Sequence, residues 1–128
     1  DAMRKVILKD GKLNAEIVGQ PAVKIAAMAG IKVDEETKVL IGEVTSVELE
    51  EPFSHEKLSP VLALYKADSF EAALTKAARL VELGGLGHTS VLYTDQSTQK
   101  DRIEQFGAKM KTGRTMINMR SEICITLN

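Results

Sequence analysis

Two short stretches hold the polar side chains that could do chemistry, "FSHEKLSPVL" at residues 53–62 and "GGLGHTS" at residues 84–90. In the first, a histidine, a glutamate and a lysine (residues 55–57) precede an apolar run. Polar side chains in such a loop can stay fixed while facing a cleft. In the second, His88 opens another apolar run, where a neutral imidazole can donate and accept hydrogen bonds near a ligand. A solvated loop and a structural histidine remain the alternative interpretations.

Other candidate chemistry is weaker. A dinucleotide-binding fingerprint needs glycines that follow a strand and open a helix, whereas the glycines of "GGLGHTS" follow a predicted helix and open a strand. Helix termination is therefore the better interpretation of these glycines. Cys124 is the only cysteine, so no intramolecular disulfide is possible, and two histidines add too little for a zinc site. No activating base lies near Cys124, so we predict neither a metal site nor a catalytic role for this thiol.

Composition excludes several classes of partner. Apolar residues make up 44% of the 128 residues, charged residues 27%, and the net charge is -1, as in an ordinary globular domain or part of one. A balanced charge predicts no nucleic-acid partner and no anionic membrane surface. No apolar run approaches the roughly 20 residues that span a bilayer, and no signal peptide is recognisable, so we expect a cytoplasmic location.

Hydrophobic patterns predict an alternation of strands and helices. Apolar, β-branched runs predict buried strands at residues 37–44 and 59–67, the first covered on both faces and the second opened by Pro60, where no backbone donor is needed. Two further strands are predicted at residues 88–95 and 114–118. Helices are predicted at the start of the chain and over residues 21–29, 68–85 and 97–110. The chain is therefore expected to be α/β, a mainly parallel sheet with crossover helices.

The helix over residues 68–85 has the clearest signals. Asp68 as N-cap and Glu71 three residues later form a capping box, and Gly84 with Gly85 ends the helix. One apolar stripe faces inward, made of Phe70, Ala73, Leu74, Ala77 and Val81. In the loops, the carboxylates of "SVELEEP" and the ammonium of Lys57 are expected to be solvated.

Five blocks together carry a resemblance to a known family: "ILKDGKLNAEIVGQPAVKIAAMAG", "TKVLIGEV", "EPFSHEKLSPVLALY", "GGLGHTSVLYTD" and "FGAKMKTGRTMIN". Over residues 2–118 the chain resembles the acylating aldehyde dehydrogenase half of bifunctional aldehyde-alcohol dehydrogenases. The block "HEKLSPVL" is similar to "EEIFGPVL" of aldehyde dehydrogenases generally. The resemblance implies that residues 1–118 are a fragment of the aldehyde dehydrogenase catalytic domain, in a homo-oligomeric parent enzyme.

The resemblance implies a reaction that interconverts acetaldehyde, NAD and coenzyme A with acetyl-CoA and NADH. A cysteine thiolate attacks the aldehyde, hydride passes to NAD, and the thioester is transferred to coenzyme A. In the family this cysteine and the dinucleotide-binding domain precede the matched segment. The resemblance therefore implies that the 128 residues alone are inactive.

Site residues follow from the same resemblance. Glu56 matches the glutamate that binds the nicotinamide ribose hydroxyls, and two carboxylate oxygens suit a vicinal diol. Leu58 and Pro60 would shape the nicotinamide side of the pocket. His88 matches a histidine near the catalytic thiol that helps to deprotonate a thiol or to steer acyl transfer. The role of His55 stays open.

The last ten residues, 119–128, depart from the family pattern. Where the family continues to "GDLYNF", this chain has "MRSEICITLN". Codons for these ten residues can be chosen so that a second reading frame encodes "AIGDLYNFK". We therefore hypothesise a frame shift near Asn118, which would leave Cys124 without a chemical role.

Two other functions remain open from the sequence. The chain alone could be a non-catalytic oligomerising or interaction module, because a divided sheet exposes strand edges that can pair with a neighbour. The parent could also be a monofunctional acylating aldehyde dehydrogenase, which shares the chemistry and lacks the alcohol dehydrogenase half.

Overall fold

A computed structural model describes residues 2–120 of the chain. These residues fall into two compact units, which divide between Lys66 and Ala67. The tail predicted at residues 119–128 lies almost wholly outside the described residues, as does Cys124. The boundary near residue 118 and the frame shift therefore stay predictions.

The first unit combines two short helices, a hairpin and a parallel strand pair. Its elements are α1 (Ala2–Ile7), β1 (Leu8–Lys9), β2 (Lys12–Leu13), a 3-10 helix (Ala15–Ile17), α2 (Ala22–Met28), β3 (Leu40–Glu43), a second 3-10 helix (Pro52–Ser54) and β4 (Val61–Leu64). The antiparallel hairpin of β1 and β2 turns at Asp10 and Gly11, whose φ angles are 52° and 72°. An Asp-Gly pair adopts such positive φ angles readily, and this explains the sharp turn directly after α1.

The core of the first unit lies between its helices and its parallel strands. It contains Val6, Ile7, Ile17, Ile25, Val44, Phe53 and Val61. Asn14 is buried beside this core, where its side chain donates to the Val6 carbonyl at 2.9 Å and accepts from the Glu16 N–H at 3.1 Å. The buried amide is thus hydrogen-bonded on both sides, as its burial requires.

Strands β3 and β4 pair in parallel, with Leu40 opposite Val61. One face packs on the core, where the backbone of Gly42 lies directly against the ring of Phe53. The other face is exposed, so the prediction that residues 37–44 are buried on both faces is wrong for the described part of the chain. The connection from β3 to β4 contains only the second 3-10 helix, and no layer covers this face within the described residues.

The second unit follows the predicted strand and helix alternation. It consists of α3 (Phe70–Gly84), β5 (Thr89–Leu92), α4 (Lys100–Lys109) and β6 (Arg114–Ile117). Strands β5 and β6 pair in parallel, and α4 forms the crossover between them. The α/β class with parallel strands is confirmed, but within residues 2–120 the strands form separate pairs, so β5 has β6 as its one neighbour.

Helix α3 begins one residue later than predicted. Ser69 is the N-cap, because its hydroxyl accepts a hydrogen bond from the Ala72 N–H at 3.1 Å. The prediction of Asp68 as N-cap is therefore wrong, although the end of the helix at Gly84 and Gly85 is confirmed. The predicted apolar stripe is at most half-buried, and no residue of α3 is fully buried.

Helix α4 faces inward as predicted. Phe106 and Met110 are buried and Ile103 is half-buried.

Among residues 2–120, none of the helices is both long and apolar enough to cross a membrane. The same residues contain no group of three or more His, Cys, Asp or Glu side chains arranged to hold a metal ion.

Candidate active site

The candidate cofactor residues Glu56, Leu58 and Pro60 lie on one loop, which runs from the second 3-10 helix to β4. Both ends of the loop are attached to the core of the first unit. Phe53 is buried at the start of the loop and Val61 at its end. The loop is therefore held by apolar packing at each end, and hydrogen bonds determine its path between them.

An ion pair fixes the start of this loop. The Arg4 guanidinium donates from Nε to Glu51 Oε1 at 3.0 Å and from Nη2 to Oε2 at 2.9 Å. Glu51 in turn accepts a hydrogen bond from the Phe53 N–H at 3.1 Å, and Arg4 lies over the Phe53 ring at 5.4 Å. The Glu51 side chain is only 11% exposed, so the prediction of solvated carboxylates in this segment is wrong for Glu51.

Electrostatics at Glu51 favour the charged form. Burial favours the neutral carboxyl, but hydrogen bonds from Arg4 and the Phe53 N–H outweigh it. The charges of Arg4 and Lys57 act in the same direction, and together these groups lower the pKa of Glu51. The hydrogen bonds that fix the start of the loop therefore also stabilise the charged form of Glu51.

Two neighbours of Glu56 bind backbone carbonyls. His55 Nε2 lies 2.6 Å from the Leu49 carbonyl oxygen, so this nitrogen is the donor. Lys57 Nζ donates to the carbonyls of Phe53 at 2.8 Å and His55 at 2.7 Å. The prediction of a solvated Lys57 is therefore wrong. Burial lowers the pKa of the Lys57 ammonium, and the nearby charge of Glu51 raises it by less.

The residues predicted to contact the cofactor are accessible. Glu56 is exposed, and no group among residues 2–120 donates a hydrogen bond to its carboxylate. Leu58 is 55% exposed with a φ of 47°, a left-handed conformation that is unusual for leucine. Pro60 is half-buried and its carbonyl accepts from the Leu40 N–H at 2.9 Å. The carboxylate thus offers two acceptor oxygens, two positions away in sequence from an exposed apolar side chain.

His88 lies in the second unit, in the loop between α3 and β5. Its Nε2 is 3.1 Å from the carbonyl oxygen of Gly84. Because a carbonyl can only accept, Nε2 carries the proton, and in the neutral ring Nδ1 is left as the acceptor. Gly85 and Gly87 have φ angles of 92° and 112°, which glycine adopts without strain, and these turns bring the imidazole back to the end of α3.

The sequence patterns located the loop but missed what holds it. Arg4 and Glu51 are 47 residues apart, and the hydroxyls of Ser54 and Tyr65, 3.0 Å apart, join the loop to the residue after β4. Contacts at such separations leave no local signal in the sequence. In extended backbone, successive side chains point to opposite sides. This rule could have suggested that the side chains of His55 and Lys57 point to one side and that of Glu56 to the other.

Comparisons with known proteins show what this chain is similar to. No protein-family model matches the chain. The bifunctional aldehyde-alcohol dehydrogenase AdhE of Escherichia coli K12 is 62% identical over 117 residues, 91% of this chain and 13% of that protein. An aldehyde-alcohol dehydrogenase of Clostridium acetobutylicum is 60% identical over 119 residues, 93% of this chain and 14% of that protein. The chain is homologous to part of the acylating aldehyde dehydrogenases.

The fold agrees with this acylating aldehyde dehydrogenase homology. An acetylating aldehyde dehydrogenase from Geobacillus thermoglucosidasius superimposes with a TM-score of 0.85 and 39% identity. The match covers 94% of this chain and 26% of that structure. The chain thus spans 13% and 14% of these two curated relatives and about a quarter of the solved acetylating aldehyde dehydrogenase. The resemblance inferred from the five sequence blocks is confirmed.

Proposed function

We propose that this chain is a segment of a cytoplasmic, homo-oligomeric enzyme that interconverts acetaldehyde, NAD and coenzyme A with acetyl-CoA and NADH. The observation that carries the proposal is the identity of 62% and 60% to two aldehyde-alcohol dehydrogenases over nine tenths of the chain. The same observation favours a bifunctional parent enzyme over a monofunctional one.

Glu56 is the proposed orienting group for NAD. Its exposed carboxylate can accept two hydrogen bonds from the hydroxyls of the nicotinamide ribose, and the anchored loop holds the backbone from which this carboxylate projects. Leu58 and Pro60 supply apolar surface for the adjoining ring. When bound, NAD accepts hydride and coenzyme A accepts the acyl group.

His88 is the proposed acid–base residue. With Nε2 donating to the Gly84 carbonyl, the neutral ring offers Nδ1 as the atom that takes a proton from a thiol. The hydrogen bond to the end of α3 also restricts rotation of the ring, so Nδ1 keeps one direction. The only cysteine of the 128-residue sequence is Cys124, for which we predict no catalytic role. The thioester chemistry therefore needs a thiol from elsewhere, and we expect the isolated 128 residues to be inactive.

A chimera tests the proposal. The matched segment of the Escherichia coli relative is replaced by the matched residues of this chain, and CoA-dependent oxidation of acetaldehyde is followed by the absorbance of NADH. Thermal unfolding followed by circular dichroism is the control for folding of the exchanged half, and oxidation of ethanol shows that the other half is intact, since that relative is named for both activities. We expect both activities in the chimera and a loss of at least tenfold in acetaldehyde oxidation for Glu56→Gln. A chimera that unfolds like the unaltered relative and oxidises ethanol but not acetaldehyde contradicts the proposal.

A second candidate function is self-association of the isolated chain. Three apolar side chains on the exposed face of the β3–β4 pair favour it: Ile41 is 65% exposed, Leu62 50% and Leu64 47%. Ile41 and Leu62 are direct neighbours across the two strands, so the face is continuous. Parallel strands are normally covered on both faces, and a second copy of the chain could supply the cover.

A further inference from the structure

The three side chains of residues 55–57 divide into two groups by what they contact. Those of His55 and Lys57 turn back to the protein and bind backbone carbonyls, whereas that of Glu56 is exposed. The outer residues therefore hold the peptide from which the Glu56 side chain projects. This arrangement separates the residue that is free for a ligand from the residues that fix its backbone.

Lys57 makes the more extensive of these contacts. Its ammonium donates to the carbonyl of Phe53 at 2.8 Å and to that of His55 at 2.7 Å, closing a ring across residues 53–57. Phe53 is buried in the core, so one end of this ring is immobile. The peptide carbonyl of His55, which precedes Glu56 directly, is the other end. Charged donors to carbonyls are among the stronger hydrogen bonds in proteins, and this ammonium is half-buried.

The backbone beyond Lys57 is also attached to the first unit. The Leu58 carbonyl accepts a hydrogen bond from the Gly19 N–H at 2.9 Å, while Leu58 itself adopts a φ of 47°. A leucine in this conformation costs free energy, so attractive contacts on either side must retain it. The hydrogen bonds of the Lys57 ammonium, before Leu58, and of the Gly19 N–H, to the Leu58 carbonyl, are such contacts.

We propose that Lys57 is a positioning residue for Glu56. By bridging the Phe53 and His55 carbonyls, its ammonium fixes the direction in which the Glu56 carboxylate meets the ribose hydroxyls of NAD. Lys57 does not contact the cofactor. The inference rests on the proposed role of Glu56.

A double-mutant cycle in the chimera tests this inference. Lys57→Met keeps the apolar stem and removes the donors, so we expect a rise of about three- to tenfold in KM for NAD or an equivalent loss in kcat, in the same sense as for Glu56→Gln. If Lys57 acts through Glu56, Lys57→Met adds nothing in the Glu56→Gln background. A general structural role predicts instead that the two losses multiply, which overturns the inference.

Two further variants complete the design. Lys57→Arg retains donors for both carbonyls and is expected to recover most of the NAD-dependent activity, whereas Lys38→Met, at an exposed lysine, is expected to leave it unchanged. Thermal unfolding of each protein, followed by circular dichroism, reports whether the half that carries these residues folds, and ethanol oxidation reports on the other half. A normal Glu56→Gln enzyme overturns the proposed role of Glu56 and this inference with it, whereas the proposed reaction is decided by the activity of the unmutated chimera. If Glu56→Gln lowers NAD-dependent acetaldehyde oxidation and Lys57→Met leaves it unchanged, only the inference about Lys57 is overturned.

Discussion

The Arg4 guanidinium binds the Glu51 carboxylate through two nitrogens, at 3.0 and 2.9 Å, and so joins α1 to the segment that precedes the candidate cofactor loop. The glutamate side chain is 11% exposed. Charge-assisted bonds in this setting are stronger than those of a surface ion pair. This pair is therefore a structural support of the loop that carries Glu56.

Glu51→Gln is expected to lower the free energy of unfolding by about 2 kcal/mol at neutral pH, since it removes the charge that Arg4 pairs with. Urea unfolding monitored by circular dichroism measures the loss. Glu50→Gln is the matched control at an exposed neighbour, with an expected change within about 0.5 kcal/mol. If Glu51→Gln and Glu50→Gln lose equal unfolding free energy, the stabilising role of the Arg4–Glu51 pair is contradicted.

The same pair predicts a dependence on pH. Because the pKa of Glu51 is lower in the folded chain than in the unfolded chain, its contribution is complete above the ordinary glutamate pKa of about 4.3. The contribution is lost as the pH falls through the folded-state pKa. The difference in stability between the wild type and Glu51→Gln should therefore shrink below that pH. A constant difference from neutral pH to pH 2 contradicts the prediction.

Gly42→Ala is expected to destabilise the first unit by about 2 kcal/mol, because an added Cβ would lie 2.5 Å from two ring carbons of Phe53. Phe53→Leu in the same chain should recover part of the loss. Gly107→Ala in α4 is the control, since no atom lies within 4 Å of its added Cβ. We expect Gly107→Ala to raise stability by about 0.5–1 kcal/mol in thermal or urea unfolding.

Ser69→Ala is expected to cost about 1 kcal/mol of stability, because it removes the acceptor for the Ala72 N–H at the start of α3. Asp68→Ala should change stability by no more than about 0.5 kcal/mol. Chemical denaturation measures both losses. A larger loss for Asp68→Ala than for Ser69→Ala would show that Asp68 is the N-cap.

Ile41→Lys with Leu62→Lys is expected to keep the isolated chain monomeric at concentrations where the wild type associates, since both side chains lie on the exposed β3–β4 face. Size-exclusion chromatography with light scattering at two concentrations measures this. Val18→Lys, at an exposed residue outside these strands, is the control. A wild-type chain that stays monomeric at both concentrations rules out the self-association function.

His88→Gln in the chimera tests the acid–base role. The glutamine amide can still donate to the Gly84 carbonyl, so the end of α3 is retained, but the acceptor at Nδ1 is lost. We expect a fall on the order of a hundredfold or more in acetaldehyde oxidation, with ethanol oxidation unchanged. If both activities persist, His88 is a structural residue only.

Local sequence patterns were sufficient to predict those features of an element that depend on its own residues. The glycines that end α3, the buried Phe106 of α4 and the buried Met110 directly after α4 were all predictable. Helix termination and amphipathic periodicity depend on neighbours within a few positions, so a single sequence carries them. The N-cap of α3 was misplaced by one residue because Asp68 and Ser69 are both good caps.

The sequence by itself determined the α/β class, the approximate elements and, through its resemblance, the similarity to acylating aldehyde dehydrogenases. Only the tertiary structure decided which polar residues of the loop hold it and which are free. Lys57 was expected in solvent, yet it bridges two carbonyls, and Glu51 was expected on the surface, yet it pairs with Arg4. The physical reason is that hydrogen bonds and burial depend on groups brought together by folding, up to 47 residues away along the chain.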